Sequence, residues 1–148
     1  MQSGRMDIGT LKGLVSPDLH EYLENILEMC NAPYAIANGI ELVSVDPVSV
    51  KMKKTVFPQD LNSNAVVHGA ASYGLLDHTF AIACNIKEPT VGFTCNVIYH
   101  RPCVGNIIEA EATVINESRS VITIGVRVSS GGKLIASADC VGFKMRMK

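Results

Sequence analysis

Apolar and polar positions divide the chain into a short series of elements punctuated by Pro, Gly and Asp. In "SPDLHEYLENILEMC", Leu19, Tyr22, Leu23, Ile26, Leu27 and Cys30 recur on one face. Ser16 stands as an N-cap and Pro17 in the first turn, which predicts an amphipathic helix. "GIELVSVD" and "SVKMKKTVF" alternate around Asp46-Pro47, the second with Val50, Met52 and Lys54 on one side and Lys51, Lys53 and Thr55 on the other. They predict a β-hairpin. After a polar loop, "PQDLNSN", the segment "AVVHGAASYGLLDHTFAIACNI" shows no period-two alternation and runs too long for a buried strand. It predicts a helix of about 17 residues, near 25 Å long. That helix is apolar on nearly every face and so has to be buried on all sides, which a sheet wrapped around it achieves economically. Four further strands, "TVGFTCNVIYHR", "IIEAEATVIN", "SVITIGVRVSS" and "KLIASADCVGFKM", supply the sheet, the last two joined at Gly131-Gly132. The expected architecture is α+β, four antiparallel strands in a row following one long central helix.

Composition narrows the picture. At 148 residues and 47% hydrophobic, the chain holds one domain with a real core. Residues 16–148 are assigned to it, and 1–15 to an N-terminal tail whose first five residues, ahead of a second methionine at Met6, read as an added leader without function. Thirteen basic and fourteen acidic residues give a net charge of -1 with no basic stripe, so nucleic acid is not an expected partner. The start lacks a signal-peptide pattern and no stretch reaches the ~18 apolar residues of a membrane span, so the expected location is cytoplasmic. The five cysteines lie far apart without CxxC, which points to small core residues rather than a disulfide framework or a zinc site.

Chemistry concentrates in the long helix. Asp77 is the only permanent charge between residues 65 and 86. A carboxylate in apolar surroundings costs several kcal/mol unless partnered, and Asp is a poor mid-helix residue. Its presence points to a desolvated acid used as nucleophile or base. Desolvation raises such a pKa and the positive end of a partner helix lowers it, leaving the carboxylate ionised at neutral pH. At the other end, His68-Gly69-Ala70 occupies the helix start, where backbone N–H groups lack intrahelical acceptors. Without a Cβ, Gly69 lets a carbonyl oxygen approach its N–H, the arrangement of an oxyanion hole. Gly69 and Asp77 are about 12 Å apart along the helix, yet both have to lie about 3 Å from one reacting carbonyl. Two such helices packed antiparallel across a twofold axis satisfy this, which predicts a dimer with two composite sites.

The spacing N-x-x-x-x-x-H-G from Asn62 to Gly69, the acid nine residues after His68, the passage Arg101-Pro102-x-x-Gly105 and the run "DHTFAIACN" resemble one family. It is the hotdog-fold acyl-CoA thioesterases of the phenylacetic-acid-degradation type, and the resemblance extends from about Phe57 to Met147. It implies a hotdog fold that hydrolyses a small or aromatic acyl-CoA thioester. No cofactor or metal is implied, coenzyme A being part of the substrate, and the expected assembly is a homodimer, paired into a dimer of dimers. By position, Asp77 is implied as the nucleophile or as the base activating water, and the Gly69 N–H as the group polarising the thioester carbonyl. Asn62, with Asn64 as rival, is implied to position water or thioester, and His68 to shape the helix start and hydrogen-bond the substrate. Ala70 replaces the second glycine of a frequent H-G-G, and His78 follows the acid; both bear on substrate range. A hydroxyl carried by some members aligns with Gly92, leaving Thr90 or Thr94 as substitutes. Ala70, Tyr73, Leu76, Phe80 and Phe93 are candidates for the acyl pocket, and Arg101, Arg119 and Lys133 for the coenzyme A phosphates. A non-catalytic acyl-CoA-binding module is the alternative reading, as is a hotdog hydratase or dehydratase, which needs a His facing Asp77 across the groove.

Overall fold

Alternation of inward and outward side chains, clearest in the strands over Ser49–Thr55, Ile107–Glu117 and Val121–Ser130, builds one six-stranded antiparallel sheet. The computed structural model describes residues 4–146. Its strands are β1 (Ile40–Val45), β2 (Ser49–Thr55), β3 (Thr90–Tyr99), β4 (Ile107–Glu117), β5 (Val121–Ser130) and β6 (Lys133–Lys144). They lie in the order β1-β2-β4-β5-β6-β3. One face carries Val50 and Met52 of β2, Ala110 and Ala112 of β4, Val126 and Val128 of β5, and Ala136 and Ala138 of β6, all buried. Their register brings Val50 opposite Ala112, Ala112 opposite Val126, and Val126 opposite Ala138, so one residue set forms a continuous apolar floor. Small alanines on β4 and β6 let a helix approach closely. Gly131 and Gly132 both take positive φ, 56° and 78°, which closes the β5–β6 hairpin as their sequence predicts.

The helix on that floor is α4, Gly69–Asn85, with Leu75, Leu76, Thr79, Phe80 and Ile82 buried against the sheet. This is the hotdog arrangement expected above. Two details differ. The strand β3 does not adjoin β4 but pairs with β6 at the far edge, so residues 100–106 cross over to β4 and give the Arg101-Pro102-x-x-Gly105 passage its purpose. A Cβ at Gly105 would run into Ser130 Oγ, which donates to the Ile107 carbonyl (2.7 Å). Nor is α4 covered on every side. It packs mainly on β2, β4 and β5, and the flank toward β3 is open.

The N-terminal third also departs from expectation. Residues 7–15 are not a tail: Asp7 caps the helix α1 (Ile8–Lys12), Leu11 is fully buried, and Ser16 N–H donates to the Val45 carbonyl (2.8 Å). One turn and a half is too short to show a helical period. Of the expected leader, Met1–Ser3 lie outside the described residues. The helix expected from Ser16 begins as a 3-10 segment, Pro17–Tyr22, with no cap bond from the Ser16 side chain, and becomes α2 only over Leu23–Cys30. A short α3 (Pro33–Ala37) follows, and single side chains reach between these helices and α4, with Tyr34 of α3 against Gly74 and His78 of α4 against the Met29 carbonyl of α2. Asn25 Nδ2 donates to the carbonyls of Asn85 (2.7 Å) and Ile86 (3.0 Å) at the C-terminal end of α4. Among the described residues no helix is long and apolar enough to cross a membrane.

Candidate active site

Four backbone N–H groups at a helix start need acceptors from outside the helix or go without. In α4 the His68 residue serves most of them. Its Nδ1 accepts from the Ala70 N–H (2.9 Å), and its carbonyl from those of Ala71 (2.9 Å) and Ser72 (3.3 Å). Accepting through Nδ1 places the imidazole proton on Nε2, where it is available as a donor. The Gly69 N–H has no acceptor among the described residues and lies open at the positive end of the helix. The ring of Tyr99, at the end of β3, stands over Gly69, with Cε1 3.3 Å from where a Cβ would be.

The helix start is held in place by a buried ion pair. Lys54 Nζ lies 2.9 Å from Asp60 Oδ2, and both side chains are nearly inaccessible. Lys54 also donates to the Asn38 carbonyl and sits 4.8 Å from the centre of the Phe57 ring. Asp60 Oδ2 accepts from the Phe57 N–H (2.7 Å), and the Asp60 carbonyl accepts from the His68 N–H (2.7 Å). The chain thus runs from β2 through Asp60 to the residue before Gly69. On the other side, the Val67 N–H donates to the Cys103 carbonyl (2.8 Å) of the crossing segment.

Ala70, Tyr73 and Asp77 follow one another at helical spacing along the open flank of α4 and are exposed. With Tyr34, Gly74, His78 and Tyr99 they line a groove of about 590 Å³. Although Asp77 opens to the groove, partial desolvation by the groove walls holds its carboxyl above its usual value, with a smaller opposing pull from His78. Burial also lifts the Tyr73 phenol, as do Cys95 and Asp77 beside it, so it stays protonated. His78 does not face Asp77 across the groove: its Nε2 lies 3.1 Å from the Met29 carbonyl, and burial lowers its pKa.

The other candidates scatter. Asn62 does not line the groove; its Oδ1 accepts from the N–H groups of Asn64 (2.9 Å) and Val66 (3.3 Å), tying a loop in which Ala65 has φ 58°. Leu76 (0% exposed) and Phe80 (3%) belong to the core, because they face the sheet. Phe93 occupies an irregularity of β3 between Gly92 and Thr94 and is 76% exposed; Thr94 pairs with Val141, away from the groove. Thr90 is buried near the C-terminal end of α4, its N–H bound to Asn85 Oδ1 (2.7 Å). Arg101 and Lys133 share a second groove, of about 360 Å³, with Cys103 and Gly105, next to the start of α4. Arg119 lies instead in the β4–β5 turn, where its carbonyl accepts from Arg146, at the sheet end opposite the helix start. Apart from Lys54 on the apolar side of its strand, no local pattern in the sequence marks Tyr34, Tyr99 or the Lys54–Asp60 pair as belonging to the site.

Residues 64–136 match the thioesterase superfamily. Over 91 residues, 60% of the chain, the sequence is 32% identical to the acyl-coenzyme A thioesterase PaaI of Escherichia coli (strain K12), and the matched stretch spans 65% of that protein's length. A mutant of the phenylacetic acid degradation protein PaaI from Thermus thermophilus superposes with a TM-score of 0.74 at 32% identity, over 76% of this chain and 99% of that one. The E. coli PaaI structure gives a TM-score of 0.79 at 24% identity, over 86% and 94%, a likeness of fold.

Proposed function

The chain belongs to the thioesterase superfamily, and from that premise we propose that it hydrolyses a small or aromatic acyl-coenzyme A thioester at a site shared by two subunits. The observation that carries this reading is the pairing of an open Gly69 N–H with Asp77 on one exposed flank of one helix. The Gly69 N–H of one subunit binds the thioester oxygen and stabilises the negative charge that develops there. Asp77 of the other attacks the carbonyl carbon, or takes a proton from the water that does, and the coenzyme A thiolate leaves. His68, with its proton on Nε2, donates to the substrate beside Gly69. Arg101 and Lys133, on the surface next to the helix start, receive the phosphates. Tyr73 and Ala70 line the acyl side, with Tyr34 and Tyr99 adding aromatic walls.

The dimer follows from two exposed features, the α4 flank and the strand β3. As the last strand of the sheet, β3 exposes Val91, Phe93, Ile98 and Tyr99 and has one edge without a partner among the described residues. A second copy adding its own β3 there brings the two α4 flanks together.

Mixing mutant subunits tests the composite site. Asp77→Asn alone should lower turnover of a panel of acyl- and aroyl-CoA thioesters at least about a hundredfold, read by free-thiol release. A Gly69→Val subunit lacks the other half and meets Tyr99 at the helix start, so its folding is checked by circular dichroism. After subunit exchange, half the dimers are mixed and one site in each is intact, so activity should return to about a quarter of wild type. Well-folded, fully exchanged mixtures that stay inactive would overturn the shared site.

A further inference from the structure

Cys95 of β3 and Cys140 of β6 are directly opposite one another in the ladder, and their sulfurs are 2.9 Å apart. That is closer than the separation of about 3.5–4.0 Å at which even carbon atoms rest in contact. Opposed residues of an antiparallel pair have Cα atoms about 4.5 or 5.5 Å apart, within the range of about 4.4–6.8 Å that a disulfide spans. Joining the two sulfurs therefore requires side-chain movement alone. The other cysteines, Cys30, Cys84 and Cys103, are buried, and among the described residues none of them touches another sulfur.

The two thiols are not equivalent. Cys95 is partly exposed, whereas Cys140 is fully buried, and burial together with the adjacent Cys95 sulfur pushes its thiol far up. Only Cys95 is placed to meet a reagent from solvent. Both lie on the helix-facing side of the sheet, beside Tyr73 and within the influence of Asp77. Neither takes part in the chemistry proposed above.

We propose that Cys95 and Cys140 form a redox-active dithiol, which a low-molecular-weight disulfide converts into a cross-strand bond between β3 and β6 beside the Asp77 groove. Cys95 gives its proton to solvent, and the thiolate attacks one sulfur of the small disulfide, whose other half leaves as a thiolate. Cys140 then loses its proton and attacks Cys95 Sγ, expelling the second thiolate. The protein dithiol is oxidised by two electrons, and one small disulfide is reduced to two small thiols. The confined geometry makes the second step intramolecular, so the mixed disulfide does not accumulate. This inference is independent of the thioesterase reading, since the bond is detected by mass and thiol count.

Native full-length protein incubated with glutathione disulfide, then denatured and titrated for thiols, should lose two of its five. A peptide map should join the Cys95 and Cys140 peptides within one chain, and dithiothreitol should restore all five thiols. Cys140→Ser should hold one glutathione on Cys95, because nothing displaces it, and Cys95→Ser should keep all four of its remaining thiols. An unchanged thiol count in the folded wild type, or a bond that joins any other pair of cysteines, would overturn the proposal.

Discussion

At Asp77 partial desolvation in the groove raises the carboxyl above its ordinary 3.8, and His78 exerts a smaller pull the other way. Because the folded value lies above the unfolded one, the ionised form is the disfavoured form in the fold. Above the folded pKa the residue therefore subtracts stability, and this loss is relieved as pH falls from the folded toward the unfolded value. Activity has the opposite dependence, since the reaction needs the carboxylate. Asp77→Asn should melt at or above the wild-type temperature at neutral pH, and that margin should shrink in acid. The wild-type rate should fall through one ionisation displaced upward from 3.8, absent from the residual rate of Asp77→Asn. Melting curves and pH–rate profiles check both, and an Asn variant markedly less stable at neutral pH would contradict the sign. A lone charge in an apolar run made Asp77 legible in the sequence. The open Gly69 N–H was legible as a place but not as the one amide left over, because that depends on the ring of His68 turning back to Ala70. Tyr34 and Tyr99 come to the groove from α3 and β3, and no local pattern announces such a meeting.

Among elements, the Lys54–Asp60 pair joins β2 to the segment that leads into α4. Alternation along β2 placed Lys54 with Val50 and Met52, but a cation on a core face has meaning only once its partner is known. That partner lay in a stretch that read as a plain polar loop. Removing one member of a buried pair leaves the other uncompensated, at a cost of about 3–5 kcal/mol. Lys54→Met should destabilise by that order in urea unfolding. Adding Asp60→Asn should recover part of it, because no buried charge remains and the amide oxygen still accepts from the Phe57 N–H. A single variant within about 1 kcal/mol of wild type would show that water reaches the pair. The same Asp60 holds the His68 N–H through its carbonyl, so the loss should also reduce turnover with little change in binding.

For the whole molecule, the hydrophobic pattern made the long helix, the hairpin and four strands readable, but not the order of the sheet. Strand length and alternation are local, whereas the transfer of β3 to the edge beyond β6 is decided by the crossing at residues 100–106. That transfer leaves β3 bordering solvent with Phe93 76% exposed. A lysine on such an edge is how soluble sheets prevent pairing. Phe93→Lys should shift the protein to monomers in analytical ultracentrifugation and remove most of the hydrolytic activity while the circular dichroism of the fold is kept. A dimer that persists with full activity would place the interface elsewhere.

The glycine turn between β5 and β6 also bears on the way the chain assembles. Strands joined by two residues meet quickly, while the β3–β6 ladder closes over 45 residues at the Cys95–Cys140 pair and bears the larger entropic cost of loop closure. The C-terminal hairpin therefore closes at the least entropic cost, and β3 docks after it although it precedes three other strands in the chain. On the ribosome the edge strand has to wait for residues 133–144, leaving its apolar side chains in the care of whatever shields nascent chains until those residues emerge.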